Sequence, residues 1–175
     1  LPESLSLRTW AKAAPDLAHQ STTTLAIALT ASLGALALAL AALEAEARHG
    51  RAIGAVWLIY LPLIMPQVAF LPGLQVMALH LGAKGSAATV AAAHLIFVLP
   101  YVWLSLAPAF RTWDARIGLA AACLGTPPAR IFWRLRLPML LAPVLTALAV
   151  GLAVSVGQYL PSLLLGGGRV ETLTT

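Results

Sequence analysis

Four long runs without Asp, Glu, Lys or Arg constrain this chain more than any other feature of its sequence. They cover about residues 21–43, 52–79, 86–110 and 137–165, and each is near or beyond the roughly 20 residues that cross a bilayer as a helix. Lipid offers no partner to an unpaired backbone N–H or C=O group, so each run must be helical. Only 10% of the 175 residues are charged, whereas soluble domains carry about 25%. We therefore predict an all-α membrane protein in which residues 1–175 form a single transmembrane domain.

Prolines interrupt the second, third and fourth runs. Each proline removes an intrahelical hydrogen bond and bends the helix, and transporter helices that line a path are often broken in this way. Proline is also commoner in membrane helices than in soluble ones, so a single proline favours neither interpretation. The second run contains three, Pro62, Pro66 and Pro72, and this predicts an irregular helix.

The polar stretches between the runs predict an orientation in the membrane. Residues 44–51 and 111–136 hold seven of the 11 Lys and Arg residues, and the remaining four lie on the opposite side in this arrangement. Cytoplasmic loops are enriched in Lys and Arg, so we expect these two stretches to face the cytoplasm and Lys84 to face the periplasm. The basic residues do not cluster on one face, so the net charge of +5 reflects the loops rather than nucleic-acid binding.

The polar stretch before the fourth run predicts two short helices joined at a glycine. Four apolar residues repeat at helical spacing and predict an amphipathic helix that ends near Gly125: Ile117, Ala120, Ala121 and Leu124. Glycine is the usual residue where a helix ends in the left-handed conformation. Thr126 is then predicted as the N-cap of a second helix with proline in its first turn. The apolar face of this second helix would consist of Ile131, Phe132 and Leu135.

The order and spacing of these residues resemble the cytoplasmic coupling loop of type I ABC importer permeases. That loop reads Glu-Ala-Ala, three residues, Gly, nine residues, an aliphatic residue, one more residue and Leu-Pro. Six positions match it: Ala120, Ala121, Gly125, Leu135, Leu137 and Pro138. Leu119 occupies the position of the opening Glu. The flanking stretches 94–114 and 156–175 also look like the family's, and the resemblance covers about residues 21–175.

The resemblance implies a kinked transmembrane helix bundle in the bacterial inner membrane, with a helix-turn-helix coupling loop at about residues 111–137. It implies three partners besides the lipid bilayer: a cytoplasmic dimer of ATP-binding subunits, a second permease half and a periplasmic substrate-binding protein. ATP hydrolysis would occur in the partner, so the chain itself would be no enzyme and would need no cofactor. The sequence is similar to the iron, thiamine and polyamine branch, and the family's pattern would continue beyond Thr175 with another apolar helix.

Few other residues indicate chemistry. The sequence contains no P-loop, no nucleophile elbow and no metal-ligand spacing, so we predict neither a catalytic nor a metal site. His94 is an ionisable residue within the third run, and together with Gln158 it is a candidate for lining a translocation path. The simpler alternative for His94 is a neutral histidine hydrogen-bonded to a neighbouring helix.

Two other functions remain open at this point. A secondary transporter driven by an ion gradient would need ionisable residues within its spans, and His94 is the only one. A membrane scaffold without transport activity is the other alternative. Neither requires the Ala-Ala, Gly and Leu-Pro pattern. The transported substrate cannot be read from the chain, because the binding protein mostly sets it in such importers.

Overall fold

The computed structural model describes residues 8–50, 54–83 and 85–175, which form helices joined by turns. In chain order the helices are α1 (Arg8–His49), α2 (Leu61–Ile64), α3 (Gln67–His80), α4 (Ala87–Arg111), α5 (Ala115–Cys123), α6 (Pro128–Ile131), α7 (Leu137–Met139), α8 (Leu141–Val156) and α9 (Leu160–Gly166). A 3-10 turn (Val56–Tyr60) precedes α2, and a π-helical turn (Phe132–Arg136) joins α6 to α7. The predicted all-α fold is confirmed.

Two helices are each long and apolar enough to cross a membrane, Ala14–His49 and Ala87–Arg111. Two bent pairs bring the number of possible spans among the described residues to as many as four. Val56–Ile64 and Gln67–His80 meet at 112°, and Pro128–Met139 and Leu141–Val156 meet at 76°. The chain is therefore a multi-pass membrane protein by the length and composition of its helices.

The prolines have unequal effects on these helices. Pro66 lies at the 112° bend, where its backbone is extended (φ −57°, ψ 131°) before α3 begins. The irregularity predicted for the second run is therefore present. In contrast, α4 continues through both Pro100 and Pro108. The fourth run is divided twice, at Leu140 between α7 and α8, and at residues 157–159 between α8 and α9.

The centre of the molecule is formed by α1, α4 and α8, which pack closely because small residues lie between them. A Cβ atom added to Gly34 of α1 would lie 2.7 Å from Cδ1 of Leu95. A Cβ atom added to Gly151 of α8 would lie 3.0 Å from Val102, and it would also approach Val98 and Ser32. Close approach of helix backbones at small residues is the usual way in which membrane helices associate.

The bundle has two ends, which we call the loop end and the far end. At the loop end α1 and α4 finish, at His49 and Arg111, and residues 112–140, the loop segment, connect α4 to α8. At the far end lie the turn between α3 and α4 and residues 157–175. Stretches 44–50 and 111–136 lie together at the loop end, where their side chains form ion pairs. Which side of the membrane this end faces remains a prediction, and Arg51 and Lys84, on which that prediction also depends, lie outside the described residues.

Candidate functional site

The first half of the loop segment is α5, and both of its ends are capped. At its start, the Asp114 side chain accepts a hydrogen bond of 2.9 Å from the backbone N–H of Arg116. At its end, the N–H of Gly125 donates to the carbonyl of Ala122 (2.9 Å) and the N–H of Thr126 donates to that of Ala121 (3.1 Å). These two bonds form a Schellman motif, which satisfies carbonyl groups that the end of a helix otherwise leaves unpaired.

The Schellman motif explains the glycine at position 125. Gly125 has φ +77°, in the left-handed region that L-residues with a side chain adopt at a cost of about 1–2 kcal/mol. An added Cβ atom would have no heavy atom within 4 Å. The requirement is therefore a property of the backbone alone, and the predicted helix end at a glycine with positive φ is confirmed.

The second helix begins one residue later than predicted, and Thr126 is not its N-cap. The cap position belongs to Pro127, whose backbone is extended (φ −66°, ψ 149°) and which offers no side-chain hydrogen bond. The reason is that Pro127 itself precedes a proline, and a residue before proline is disfavoured in the helical region. Pro128 therefore takes the first helical position, where its missing N–H has no consequence.

The second half of the loop segment runs from α6 through the π-helical turn to α7. Ile131 and Phe132 are buried and Leu135 is half-buried, as predicted for the apolar face of this helix. Ile131 lies near Gly118 of α5, where Trp113 also packs. The two helices of the loop segment thus share a small apolar core. Pro138 lies within α7, and the chain bends at Leu140 before α8 enters the bundle.

Arg136, in the π-helical turn, connects the loop segment to α1 through an ion pair. Its Nη1 forms an ion pair with Glu44, and both side chains are only 12% exposed. Its guanidinium group also lies over two aromatic rings, 4.4 Å from the centroid of Trp113 and 5.3 Å from that of Phe110. Arg48 binds the other carboxylate oxygen of Glu44 at 2.7 Å. Charge, hydrogen bonding and cation–π attraction therefore all act at this contact.

A second ion pair joins the ends of the two long helices. Arg111, the last residue of α4, donates from Nη2 to a carboxylate oxygen of Glu46 on α1 at 3.0 Å. The Arg111 guanidinium lies 5.8 Å from the ring centroid of Trp103. With the Arg136–Glu44 pair, this contact connects α1, α4 and the loop segment at one end of the bundle. A force on the loop segment would reach both long helices through these contacts.

The loop segment also presents large apolar side chains that nothing in the described chain covers. Leu124 is 86% exposed, and Leu119 and Trp133 are each 65% exposed. The repeat of Ile117, Ala120, Ala121 and Leu124 identified α5 correctly, but of these four residues only Ala121 is buried. Leu124 is the C-cap residue of α5, so it projects beyond the last helical turn. Exposed apolar groups beside arginines are typical of a protein–protein contact.

The six residues that match the coupling-loop pattern all lie in this segment. Ala121 is buried, Leu135 and Leu137 are half-buried, and Ala120, Gly125 and Pro138 are exposed. Their part in coupling remains a prediction. Several residues of the site were missed at the sequence level: Glu44, Glu46, Phe110, Trp113, Asp114 and Trp133. Only the Asp114 cap had a local signal, an acidic residue directly before an apolar repeat.

The other predicted site, His94 with Gln158, lies towards the far end of the bundle. His94 is 3% exposed, and its ring nitrogens lie 2.9 Å from Oγ of Ser155 and 3.0 Å from Oγ of Ser162. Gln158 is 5% exposed, and neither its Oε1 nor its Nε2 has a hydrogen-bond partner among the described residues. The hydrogen bonds of His94 agree with the simpler alternative, and a role of either residue in a path remains a prediction. Among the described residues no three of His, Cys, Asp or Glu are grouped to hold a metal ion.

Comparison with known proteins identifies relatives across most of the chain. The chain is 40% identical over 162 residues to the inner membrane ABC transporter permease protein YnjC of Escherichia coli (strain K12). This alignment covers 91% of the chain and 32% of YnjC. The chain is 35% identical over 124 residues to the molybdenum transport system permease protein ModB of Mycobacterium tuberculosis, or 64% of the chain and 47% of that protein.

A shorter match extends this relationship to a third protein. Over 66 residues the chain is 30% identical to the probable sulfate transport system permease protein cysT of Zygnema circumcarinatum, or 37% of the chain and 23% of that protein. No family model matches the chain. The chain spans about a third of the length of YnjC and about half that of ModB.

Proposed function

The chain belongs to the permeases of ABC transporters, and on this premise we propose that it is the membrane-spanning subunit of an ATP-driven importer and couples to a separate ATPase through residues 119–138. It is a multi-pass protein of the inner membrane. The observation that carries the proposal is the capped helix-turn-helix at the loop end, which exposes Leu119, Leu124 and Trp133. The similarity to YnjC extends over 162 residues and supports the same assignment.

The contacts of the loop segment support a mechanism of coupling. A partner that binds α5 and α6 would move a unit with its own small core rather than a flexible loop. That unit is fastened to α1 by Arg136, and it continues through the 76° bend into α8. Closure of an ATPase dimer would therefore be transmitted to the helices of the bundle together. We propose that the loop end faces the cytoplasm, where such an ATPase would be.

The proposed partners are a dimer of ATP-binding subunits, a second permease half and a periplasmic substrate-binding protein, which selects the substrate. The names of the relatives mention molybdenum for ModB and sulfate for cysT, and no substrate for YnjC. None mentions iron, thiamine or polyamines, so assignment to that branch stays a prediction. No observation favours the ion-gradient transporter or the scaffold over the importer.

The orientation can be tested with the native thiol, because Cys123 is exposed and lies in the loop segment. In intact cells a membrane-impermeant maleimide should leave Cys123 unmodified, and it should react once the membrane is permeabilised. A cysteine introduced at Lys84 in a Cys123→Ser background should behave in the opposite way. Reaction of Cys123 in intact cells would reverse the proposed orientation.

Coupling can be tested with two glycines that have the same backbone requirement at opposite ends. Gly125 (φ +77°) lies in the loop segment and Gly82 (φ +64°) lies at the far end, and an added Cβ atom at either would meet no atom within 4 Å. A valine at either position therefore introduces similar strain, about 1–2 kcal/mol, without a clash. Any difference between the variants reports the function of the two ends.

The full-length permease, assembled with its ATPase in proteoliposomes, should distinguish the two variants. We expect Gly125→Val to lower both substrate uptake and transport-stimulated ATP hydrolysis by at least about tenfold, the effect of 1.4 kcal/mol on a barrier. Gly82→Val should retain both activities and the same membrane insertion. Equal activities for the two variants would contradict coupling through this segment.

A further inference from the structure

Towards the far end, one histidine side chain connects the two sides of a helix break. The helix α8 ends at Val156 and α9 begins at Leu160. Nδ1 of His94, on α4, lies 2.9 Å from Oγ of Ser155, which precedes the break. Nε2 of the same ring lies 3.0 Å from Oγ of Ser162, which follows it. We call these three side chains the histidine bridge.

The hydrogen bonds of the bridge can be assigned a direction. The Ser162 hydroxyl donates to the backbone carbonyl of Gln158 at 3.1 Å. A hydroxyl has one hydrogen to give, so Ser162 accepts from His94, and Nε2 carries the proton. Nδ1 of the neutral ring then accepts from the hydroxyl of Ser155. Each group of the bridge thus has a partner suited to it, and the imidazole contacts residues on both sides of the break.

Gln158, within the break, differs from the residues of the histidine bridge because its side chain lacks a hydrogen-bond partner among the described residues. It is 5% exposed. The space that it shares with His94, Ser155 and Ser162 does not admit a water molecule. A buried amide without a hydrogen-bond partner destabilises the closed arrangement, and opening of the break would relieve this cost. The far end of the bundle therefore combines a restraint on the break with a side chain that favours its release.

We propose that His94 is a positioning residue that fixes α9 against α8, and that release of the histidine bridge opens the break at residues 157–159 during transport. Its role in transport rests on the proposed importer function, whereas the opening of the break does not. A cavity of about 310 Å³ at the far end reaches Ser162 and is lined also by Gln20, Glu171 and Thr175. An opened break would join this cavity and expose Gln158.

Opening can be measured with a single thiol. In the full chain, with Cys123 replaced by Ser, Gln158→Cys leaves the backbone carbonyl that accepts from Ser162 in place. We expect this buried thiol to react slowly with a maleimide in membrane vesicles. Adding His94→Ala should accelerate the reaction by at least about tenfold, as expected when 1.4 kcal/mol of restraint is lost.

The serine variants separate a hydrogen-bonded bridge from simple packing. Ser155→Ala and Ser162→Ala each break one side of the bridge, so each should reproduce most of the acceleration, and neither should add to His94→Ala, because groups that act as a unit are not additive. Ser32→Ala is the matched control, since Ser32 is fully buried and its hydroxyl has no partner among the described residues. If both serine variants react as slowly as Ser32→Ala, the bridge does not restrain the break and the proposal is wrong.

Uptake by the assembled transporter tests the second part of the proposal. Each bridge variant should bind the ATPase normally. The factor by which it lowers the uptake rate should be about the factor by which it raises the rate of thiol modification. Normal uptake in variants with a reactive thiol would overturn the positioning role in transport while leaving the coupling test at Gly125 unaffected. Because the serine variants remove only one oxygen each, they keep the test decisive even if His94→Ala does not insert.

Discussion

The two ends of the bundle are held by different kinds of interaction. At the loop end, two ion pairs and a guanidinium group over aromatic rings connect α1, α4 and the loop segment. At the far end, neutral hydrogen bonds from one histidine connect α4, α8 and α9. A charged group with little exposure needs a partner of opposite charge, as Arg136 and Glu44 have, whereas neutral hydrogen bonds suit a buried, apolar surrounding. We propose that the loop end transmits a force and that the far end holds or releases the break between α8 and α9.

Among the substitutions that compare the two ends, Arg136→Ala should cause the largest loss of stability. It removes one member of an ion pair whose side chains are each 12% exposed, and also removes the contacts with Phe110 and Trp113. We expect a loss of about 3 kcal/mol in the free energy of unfolding, at the lower end for a broken buried pair because this pair is partly exposed and Arg48 still binds Glu44. Unfolding of the purified permease in detergent, followed by circular dichroism, measures it.

Arg48→Ala is the matched control for Arg136→Ala, because Arg48 binds the same carboxylate from a position that is 44% exposed. An exposed pair of this kind contributes only about 0.5 kcal/mol. Similar losses for Arg48→Ala and Arg136→Ala would show that burial of the ion pair does not determine the strength of the loop end.

Substitutions at two helix caps, one at each end of the bundle, should have an intermediate effect on stability. Asp114 caps α5 at the loop end, and Ser86 caps α4 at the far end by accepting from the N–H of Thr89 at 3.1 Å. Replacing either by alanine should cost about 1 kcal/mol of stability. We expect only Asp114→Ala to reduce transport-stimulated ATP hydrolysis, because α5, unlike the start of α4, lies in the segment proposed to bind the ATPase. A loss of stimulation in Ser86→Ala of the same size would remove the functional distinction between the ends.

The smallest effect is expected for Thr126→Ala. A threonine N-cap would lose about 1 kcal/mol on this change, but the structure gives the cap position to Pro127. The free energy of unfolding should therefore change by less than about 0.5 kcal/mol, because Thr126 is only half-buried and does not cap a helix. A loss near 1 kcal/mol would restore Thr126 to the role that the sequence predicted.

The elements that the sequence predicted well depend on local chemistry. Uncharged runs require helices in lipid, and Gly125 with its preceding alanines requires a helix end with positive φ. Even the cap error had a local cause, since Pro127-Pro128 excludes a helix start at Pro127. These conclusions need no knowledge of which helices are neighbours.

The contacts that the sequence could not predict join residues far apart in the chain. Arg136 and Glu44 are separated by 92 positions, and only the packing of α1 against the loop segment brings them together. Ser155 and Ser162 are seven residues apart, and this spacing would place them on the same face if the helix were unbroken. The break between α8 and α9 begins at Gly157 and precedes Pro161, whereas α4 passes through Pro100 and Pro108 without a glycine.

The most direct test of the central claim is a cross-link from the loop segment to the ATPase. Leu124 and Leu81 are similarly exposed, at 86% and 73%, but lie at opposite ends of the bundle. Each would be replaced by cysteine in a Cys123→Ser background and labelled with a photoreactive maleimide in the assembled transporter. We predict a covalent product with the ATPase from position 124 and none from position 81. A product from position 81 alone, or none from either position, would contradict docking of the ATPase on this segment.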